Sequence, residues 1–127
     1  MEEPTGPWAM RGPCLNVQWA RDQAGGYPAR DFFDSLDEKD QAKALSLFER
    51  LATSGKINNR EKFKKVEDGL WEFKPNKQIR LFGDFRPGGR FLIASGAKKQ
   101  KWRLSHEDLE RAHRVLSEND KLEGRND

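Results

Sequence analysis

The sequence predicts an α+β fold in which a small, antiparallel-rich sheet carries a helical hairpin on one face. Three short apolar stretches between residues 69 and 103 are separated by two turn sequences, which indicates an antiparallel meander of three strands. Ahead of them, an apolar stripe at helical spacing in residues 38–54 indicates an amphipathic helix that packs on this sheet. The middle of the chain is strongly basic, which suggests a surface for a polyanion.

The three strands of the meander are expected at residues 70–74, 78–85 and 90–97. The first two alternate apolar and polar side chains, which is the pattern of a half-buried strand. The third is more continuously apolar, so it is expected to be the central strand. Proline, asparagine and glycine in residues 75–77 and 86–89 supply the turns between the strands.

Two helices are expected before the meander. A short helix over residues 29–36 precedes a longer one, which Asp37 caps at its N-terminus and Gly55 ends. Asp40 is expected to reach back to the cap in the manner of a capping box. The apolar stripe of the longer helix is expected to pack on the sheet and consists of Ala44, Leu47, Phe48 and Leu51.

A single domain is expected over residues 14–118, between two flexible ends. Residues 14–19 alternate and are expected to form a first strand at the edge of the meander, after a flexible lead-in over residues 1–13. Ser105 is expected to cap a last helix. The apolar stripe of that helix consists of Leu109, Ala112 and Leu116. Residues 119–127 are expected to form a frayed tail.

The net charge is only +3, but it is unevenly distributed along the chain. Residues 56–103 hold fourteen lysines and arginines against five acidic residues, whereas both flanks are acidic. This pattern indicates either a polyanion partner or a solvated surface with strong charge segregation. No run approaches the roughly 20 apolar residues of a membrane span, and the start of the chain is unlike a signal peptide. Because the lone Cys14 can form no internal disulfide and no Cys-based zinc site, we expect a cytoplasmic protein without a metal or cofactor.

Strand alternation predicts which side chains share the face opposite the helices. That face is expected to display four charged side chains around one exposed aromatic ring: Glu72, Lys74, Arg80, Asp84 and Phe82. The end of the last strand adds four basic residues and one aromatic residue: Lys98, Lys99, Lys101, Trp102 and Arg103. Cations beside exposed rings suit single-stranded RNA, because the cations hold phosphates while the rings stack on bases.

The same residue types could cleave a phosphodiester bond. Arg80 is the best clamp for the charged transition state, because its guanidinium fork matches phosphate oxygens. Clustered lysines repel one another, so Lys98, Lys99 or Lys101 could have a pKa lowered toward that of a general base. Glu72 either orients such a lysine or forms a structural salt bridge with Arg80. A surface of ordinary cross-strand ion pairs is the simpler alternative.

Other residues give weaker signals. The basic connector over residues 56–68 either extends the phosphate-binding surface or is only solvated. His106 is expected to be an exposed residue of a helix cap, and His113 a partly buried packing residue. The sequence contains no phosphate-binding glycine loop and no dinucleotide-binding motif.

Four segments together resemble the RelE/HigB superfamily of type II toxins, in particular its phage-derived, HigB-like branch. They are GLWEF at 69–73, QIRLF at 78–82, RFLIASGAKK at 90–99 and EDLERA at 107–112. The resemblance implies a RelE-like fold of order β-α-α-β-β-β-α. It also implies a toxin that cleaves mRNA, often on the ribosome, and that a small antitoxin protein neutralises.

The resemblance also implies roles for individual residues. Arg80 matches the arginine that contacts the scissile phosphate in the family, and Lys98 and Lys99 match its assisting basic residues. Lys74 stands where many relatives have an arginine. The family's aromatic hydroxyl near the C-terminus has no counterpart, because Tyr27 is the only tyrosine.

Three functions therefore follow as hypotheses. The first is an mRNA endoribonuclease toxin that uses attack by the 2′-hydroxyl on the scissile phosphate. The second is a ParE-like toxin that inhibits gyrase and has no nuclease activity. The third is a catalytically silent RNA-binding module.

Overall fold

The structure, a computed structural model, describes residues 7–99 and 105–124, and these residues form an α+β fold. The described part contains six strands and three helices: β1 (Trp8–Arg11), β2 (Asn16–Trp19), α1 (Pro28–Asp34), α2 (Glu38–Ser54), β3 (Phe63–Glu67), β4 (Leu70–Phe73), β5 (Ile79–Arg86), β6 (Arg90–Lys98) and α3 (His106–Leu122). The strands form one sheet in the order β1-β2-β6-β5-β4-β3. Its neighbouring strands are antiparallel except for β2 and β6, which are parallel. The predicted α+β class and antiparallel-rich sheet are confirmed, but the order of elements in the described residues, β-β-α-α-β-β-β-β-α, contains two strands more than the implied order β-α-α-β-β-β-α.

The larger core lies between one face of the sheet and the two N-terminal helices, as the sequence predicts. The predicted stripe of α2 is buried in full: Ala44, Leu47, Phe48 and Leu51. The Phe48 ring packs edge-on against Phe73 of β4, with 5.2 Å between ring centroids. Both predicted ends of α2 are confirmed, because the Asp37 side chain accepts a hydrogen bond from the Asp40 N–H and Gly55 adopts a φ of 79°.

The opposite face of the sheet is covered by α3, which the sequence analysis did not foresee. Leu92 of β6 packs there with Ala112 and Leu116 of α3 in a second core. The prediction that Phe82 is exposed is wrong, because its ring is fully buried in this second core. The physical reason is that α3 has an apolar stripe of its own to bury and that β5 and β6 carry apolar residues on both faces.

Two strands, β1 and β3, are not among those that the sequence predicts. Trp8–Arg11 forms β1 instead of a flexible lead-in, and it pairs with β2 through Met10 and Val17. Consequently β2 is not at the edge of the sheet but lies between β1 and β6. Part of the basic connector forms β3, which pairs with β4. The predicted central strand is confirmed as an inner strand, since β6 lies between β2 and β5.

The last helix extends further than the sequence suggests. Ser105 caps it as predicted, by accepting a hydrogen bond from the Asp108 N–H. It then continues to Leu122, so the tail predicted from residue 119 is helical over its first four residues. Asn119 is buried, and its Oδ1 accepts a hydrogen bond of 2.8 Å from the Arg21 N–H. This bond fastens the end of α3 to the segment after β2. None of the helices in the described residues is long and apolar enough to cross a membrane.

Candidate nucleic-acid interface

An open cleft of about 930 Å³ lies where the β4–β5 turn, helix α2 and the loop before β3 meet. Seven cationic side chains line it: Lys43, Arg50, Lys62, Lys74, Lys77, Arg80 and Lys99. Among the described residues that line it, Glu61 is the one acidic residue. The cleft therefore carries a strong positive potential, which attracts and concentrates polyanions.

One wall of the cleft is a face of α2 that the sequence analysis did not identify. Lys43, Ser46 and Arg50 are exposed and line the cleft, while the neighbouring stripe of the same helix is buried in the core. Their spacing of three and four residues places them along one side of the helix. That spacing is visible in the sequence, but it identifies a functional face only once the cleft itself is known.

The other wall is the β4–β5 turn, whose shape Asn76 determines. The Asn76 side-chain oxygen accepts hydrogen bonds from the backbone N–H of Gln78 at 2.9 Å and of Ile79 at 3.0 Å. The Asn76 side-chain nitrogen donates to Asp40 Oδ1 at 2.8 Å, which ties the turn to the first turn of α2. The prediction that the Asp40 carboxylate reaches back to its own helix cap is therefore wrong, because this carboxylate accepts a hydrogen bond from the turn instead.

Arg80, the second residue of β5, lines the cleft and is only 4% exposed. Its Nη1 donates hydrogen bonds of 2.9 Å to the backbone carbonyls of Asn76 and Ile79. Its Nε lies 3.7 Å from Glu72 Oε1. Among the described residues, none accepts a hydrogen bond from Nη2. Burial lowers the pKa of Arg80, and the negative charge of Glu72 partly offsets that effect.

Glu72 of β4 is 2% exposed and lies beside Phe82 of the adjacent strand. Within the described residues, Glu72 Oε1 and Arg80 Nε have no hydrogen-bond partner, so the 3.7 Å ion pair is held by charge attraction. The sequence predicts two alternative roles for Glu72, and this ion pair corresponds to the second, a structural salt bridge with Arg80. Ser95 lies on the other side of Phe82, and its hydroxyl is likewise buried and without a partner in the described part of the chain.

Lys99 and Lys74 are the predicted lysines that join Arg80 in the cleft, and Lys99 has the altered titration. Its backbone N–H donates a hydrogen bond of 2.6 Å to the carbonyl of Gln78, which fixes the backbone position from which its side chain extends. Partial burial lowers the pKa of Lys99, and the charges of Arg80, Lys74 and Lys64 lower it further, whereas Glu72 opposes them. The shift increases the neutral fraction of the amine, which is the form that can accept a proton.

Two charged residues that the sequence predicts on the same surface, Lys98 and Asp84, are absent from the cleft lining. Lys98 is exposed, pairs with Ile79 across the strands and is absent from the cleft lining. Asp84 forms an ion pair of 3.1 Å with Arg86 near the far end of β5. The predicted RNA-binding residues Lys101, Trp102 and Arg103 lie outside the described residues.

Neither histidine belongs to the cleft. His113 Nε2 lies 2.6 Å from Glu67 Oε2 at the surface, and exposed His106 pairs with Glu110 at 3.0 Å. In the described residues, no group of three or more His, Cys, Asp or Glu side chains could hold a metal ion.

The fold and the cleft define an α+β protein with a cationic surface cleft. Residues 31–117, more than half of the chain, match the family described as "Phage derived protein Gp49-like (DUF891)". The chain therefore belongs to this family. The match spans α2, strands β3–β6, parts of α1 and α3, and every described residue that lines the cleft.

Similarity beyond the family is low. No curated protein matches this chain. Among solved structures, a chain of the toxin-antitoxin complex RelBE2 from Mycobacterium tuberculosis is similar, with 12% sequence identity and a TM-score of 0.44. The similarity covers 79% of this chain and 100% of that chain.

Proposed function

We propose that this protein is the toxin of a type II toxin-antitoxin system and that it cleaves mRNA in the cationic cleft. The observation that carries the proposal is the cleft lining, in which six cationic side chains accompany a lysine of lowered pKa, Lys99, and Glu61 is the single carboxylate among the described residues. Membership in a phage-derived family and the four segments that resemble RelE/HigB toxins support it. Single-stranded RNA suits such a cleft, because its phosphates can follow a row of cations.

The chemistry we propose is an attack within the RNA chain. The neutral amine of Lys99 accepts the proton of a 2′-hydroxyl, and the resulting oxygen attacks the adjacent phosphorus. The bond between the phosphorus and the 5′-oxygen then breaks, and this oxygen takes a proton from a nearby ammonium group such as Lys74. One fragment is left with a 2′,3′-cyclic phosphate and the other with a 5′-hydroxyl. No external reactant is consumed.

Arg80 would stabilise the crowded phosphate during this step. Its Nη2 is the nitrogen that is not engaged by a described residue, and a guanidinium charge in a partly dehydrated site stabilises a developing anion more strongly than it would in water. Glu72 would keep the guanidinium in place through their ion pair. Lys98, Lys101 and Arg103 would hold flanking phosphates, and Trp102 would stack on a base.

The toxin role implies a specific partner. We propose that a cognate antitoxin protein neutralises the toxin in the cytoplasm by covering the cleft, and that the mRNA is cleaved either free or on the ribosome. A partner for this cleft must present acidic groups, because the lining charges would otherwise repel it.

One observation favours the alternative of a catalytically silent RNA-binding module. Arg80 is buried, and its Nη1 donates to two backbone carbonyls of its own turn. An arginine with these contacts can have a purely structural role, in which it stabilises the turn. In that case the cleft would still bind RNA through its exposed lysines, but no bond would be broken.

The proposal is tested by inducing the protein in bacteria, with and without the gene that neighbours its own, and mapping the ends of cellular transcripts. We expect growth arrest and new RNA ends for the wild type, and protection by the antitoxin gene. Lys99→Gln should abolish the new ends. Lys121→Gln, which removes an exposed charge from the last turn of α3, should not.

The other outcomes identify the alternatives. RNA binding without new ends would indicate the silent module. Growth arrest without new ends, together with inhibition of supercoiling by purified gyrase, would indicate a ParE-like toxin. Either result would refute the nuclease proposal.

A further inference from the structure

Asn76 connects three parts of the cleft through its own atoms. Its side-chain oxygen holds the turn by accepting two backbone N–H groups, and its side-chain nitrogen donates to Asp40 on α2 at 2.8 Å. Its backbone carbonyl accepts the 2.9 Å hydrogen bond from Arg80 Nη1. The position of the Arg80 guanidinium therefore depends on the orientation of a carbonyl that the Asn76 side chain fixes.

We propose that Asn76, held by Asp40, is a positioning residue that sets the orientation of Arg80 and the separation of the two cationic walls of the cleft. This inference rests on the proposed nuclease function, because it assigns to Asn76 an effect on the cleavage step. Asn76 itself acts through Arg80 and through α2.

The hydrogen bond to Asp40 is the part that an ordinary turn does not explain. An asparagine or aspartate that only shapes a turn needs a side-chain oxygen to accept backbone N–H groups. Asn76 makes that interaction and, in addition, uses its amide nitrogen on a residue 36 positions earlier in the chain. An aspartate at position 76 could still shape the turn, but its charge would repel the Asp40 carboxylate.

The link joins the two walls that carry the cations. Asp40 lies one turn before Lys43 on α2, and Lys43 and Arg50 line the wall opposite Arg80 and Lys99. If the link breaks, the turn and the helix can separate, and phosphate contacts from the two walls no longer match one RNA conformation. A displacement of about 1 Å in a catalytic arrangement can lower a rate by about 100-fold.

The experiment uses a swap of the two side chains in the full-length protein. Asn76→Asp places two carboxylates next to each other, and the double variant Asn76→Asp/Asp40→Asn restores an amide and a carboxylate in reversed positions. The matched control is Asn76→Asp/Glu38→Gln, which has the same formal charge but leaves both carboxylates, since Glu38 is exposed in the same helical turn. Asp40→Ala removes the link without adding a charge and serves if Asn76→Asp fails to fold.

Two measurements are made on each folded variant. The first is single-turnover cleavage of a transcript that the wild type cuts, as a function of RNA concentration. The second is arginine side-chain ¹⁵N NMR of the RNA-free protein, in which Arg80→Lys identifies the Arg80 signals.

We expect Asn76→Asp to lower the maximal rate by about 10-fold or more, with a smaller change in the half-saturating RNA concentration, and to shift the Arg80 signals. In the double variants, Asp40→Asn should restore the maximal rate and the Arg80 signals, whereas Glu38→Gln should restore neither the rate nor the signals. Unchanged Arg80 signals in Asn76→Asp, or equal rescue by both second substitutions, would overturn the inference. A wild type that cuts no RNA would refute the proposed function alone, since the Arg80 signals would still decide the positioning role.

Discussion

The buried ion pair between Glu72 and Arg80 gives a prediction whose size can be calculated. Both side chains are at most 5% exposed, and Nε and Oε1 lie 3.7 Å apart. At that distance two unit charges attract each other by about 4.5 kcal/mol for an effective dielectric constant near 20. Removal of one partner leaves the other charge buried without compensation, which costs about 3–5 kcal/mol in comparable pairs.

We therefore expect Glu72→Gln and Arg80→Gln each to lower the free energy of unfolding by about 3 kcal/mol or more. The double variant Glu72→Gln/Arg80→Gln should lose much less than the sum of the two, because it leaves no uncompensated charge. The assay is urea unfolding of the wild type and the three variants at neutral pH. Losses that simply add in the double variant would refute the reasoning, since they would mean that the two charges do not interact.

The result also determines how an Arg80 variant should be read in an activity assay. A loss of cleavage in Arg80→Ala could reflect unfolding alone. Glu72→Gln provides the control, because it carries a similar stability loss while the guanidinium remains. Cleavage that survives in Glu72→Gln but not in Arg80→Gln would assign a direct role to Arg80.

Three further predictions follow from the described residues. Because the charge of Lys64 lowers the pKa of Lys99, Lys64→Gln should raise that pKa and move the rise of the cleavage rate to higher pH, as measured in a pH-rate profile. Lys43→Gln should reduce the slope of log affinity for single-stranded RNA against log salt by about 0.7, whereas Lys121→Gln should leave it unchanged in a binding titration. Gly83→Ala should lower the free energy of unfolding by about 1–3 kcal/mol in urea denaturation, because a Cβ at this position would overlap the backbone of the neighbouring strand.

Each of these three predictions would be contradicted by a specific result. A pH profile that moves to lower pH in Lys64→Gln would exclude Lys99 as the titrating base. Equal salt slopes for Lys43→Gln and the wild type would mean that α2 does not contact phosphates. A Gly83→Ala variant as stable as the wild type would show that the two strands can separate at that point without loss.

The sequence predicts the parts of the fold that depend on local chemistry. The caps of α2 and the burial of its stripe follow from residue types at fixed spacings, and the structure agrees with them. Strand β3 could not be found in the same way. Its apolar residues Phe63 and Val66 are three positions apart and contact different cores, so the segment shows no single-face alternation.

The residues of the cleft, too, could be predicted from local sequence patterns only in part. Alternation along β5 correctly places Arg80 and Phe82 on one face, but it does not show what covers that face, and α3 buries Phe82. The contribution of Lys43 to the cleft depends on how α2 packs against the β4–β5 turn. Contacts of this kind join distant parts of the chain, and no local pattern encodes them.

The most direct test of the cleft as a nuclease site is the chemistry of its product. A message that the wild type cuts is prepared in two forms, one with ribose and one with 2′-deoxyribose at the nucleotide before the mapped cleavage point. We predict that the ribose form yields a fragment ending in a 2′,3′-cyclic phosphate, that the deoxy form stays intact while it still binds, and that Lys99→Gln cuts neither. Cleavage of the deoxy form at the same point, or full activity of Lys99→Gln, would contradict the mechanism.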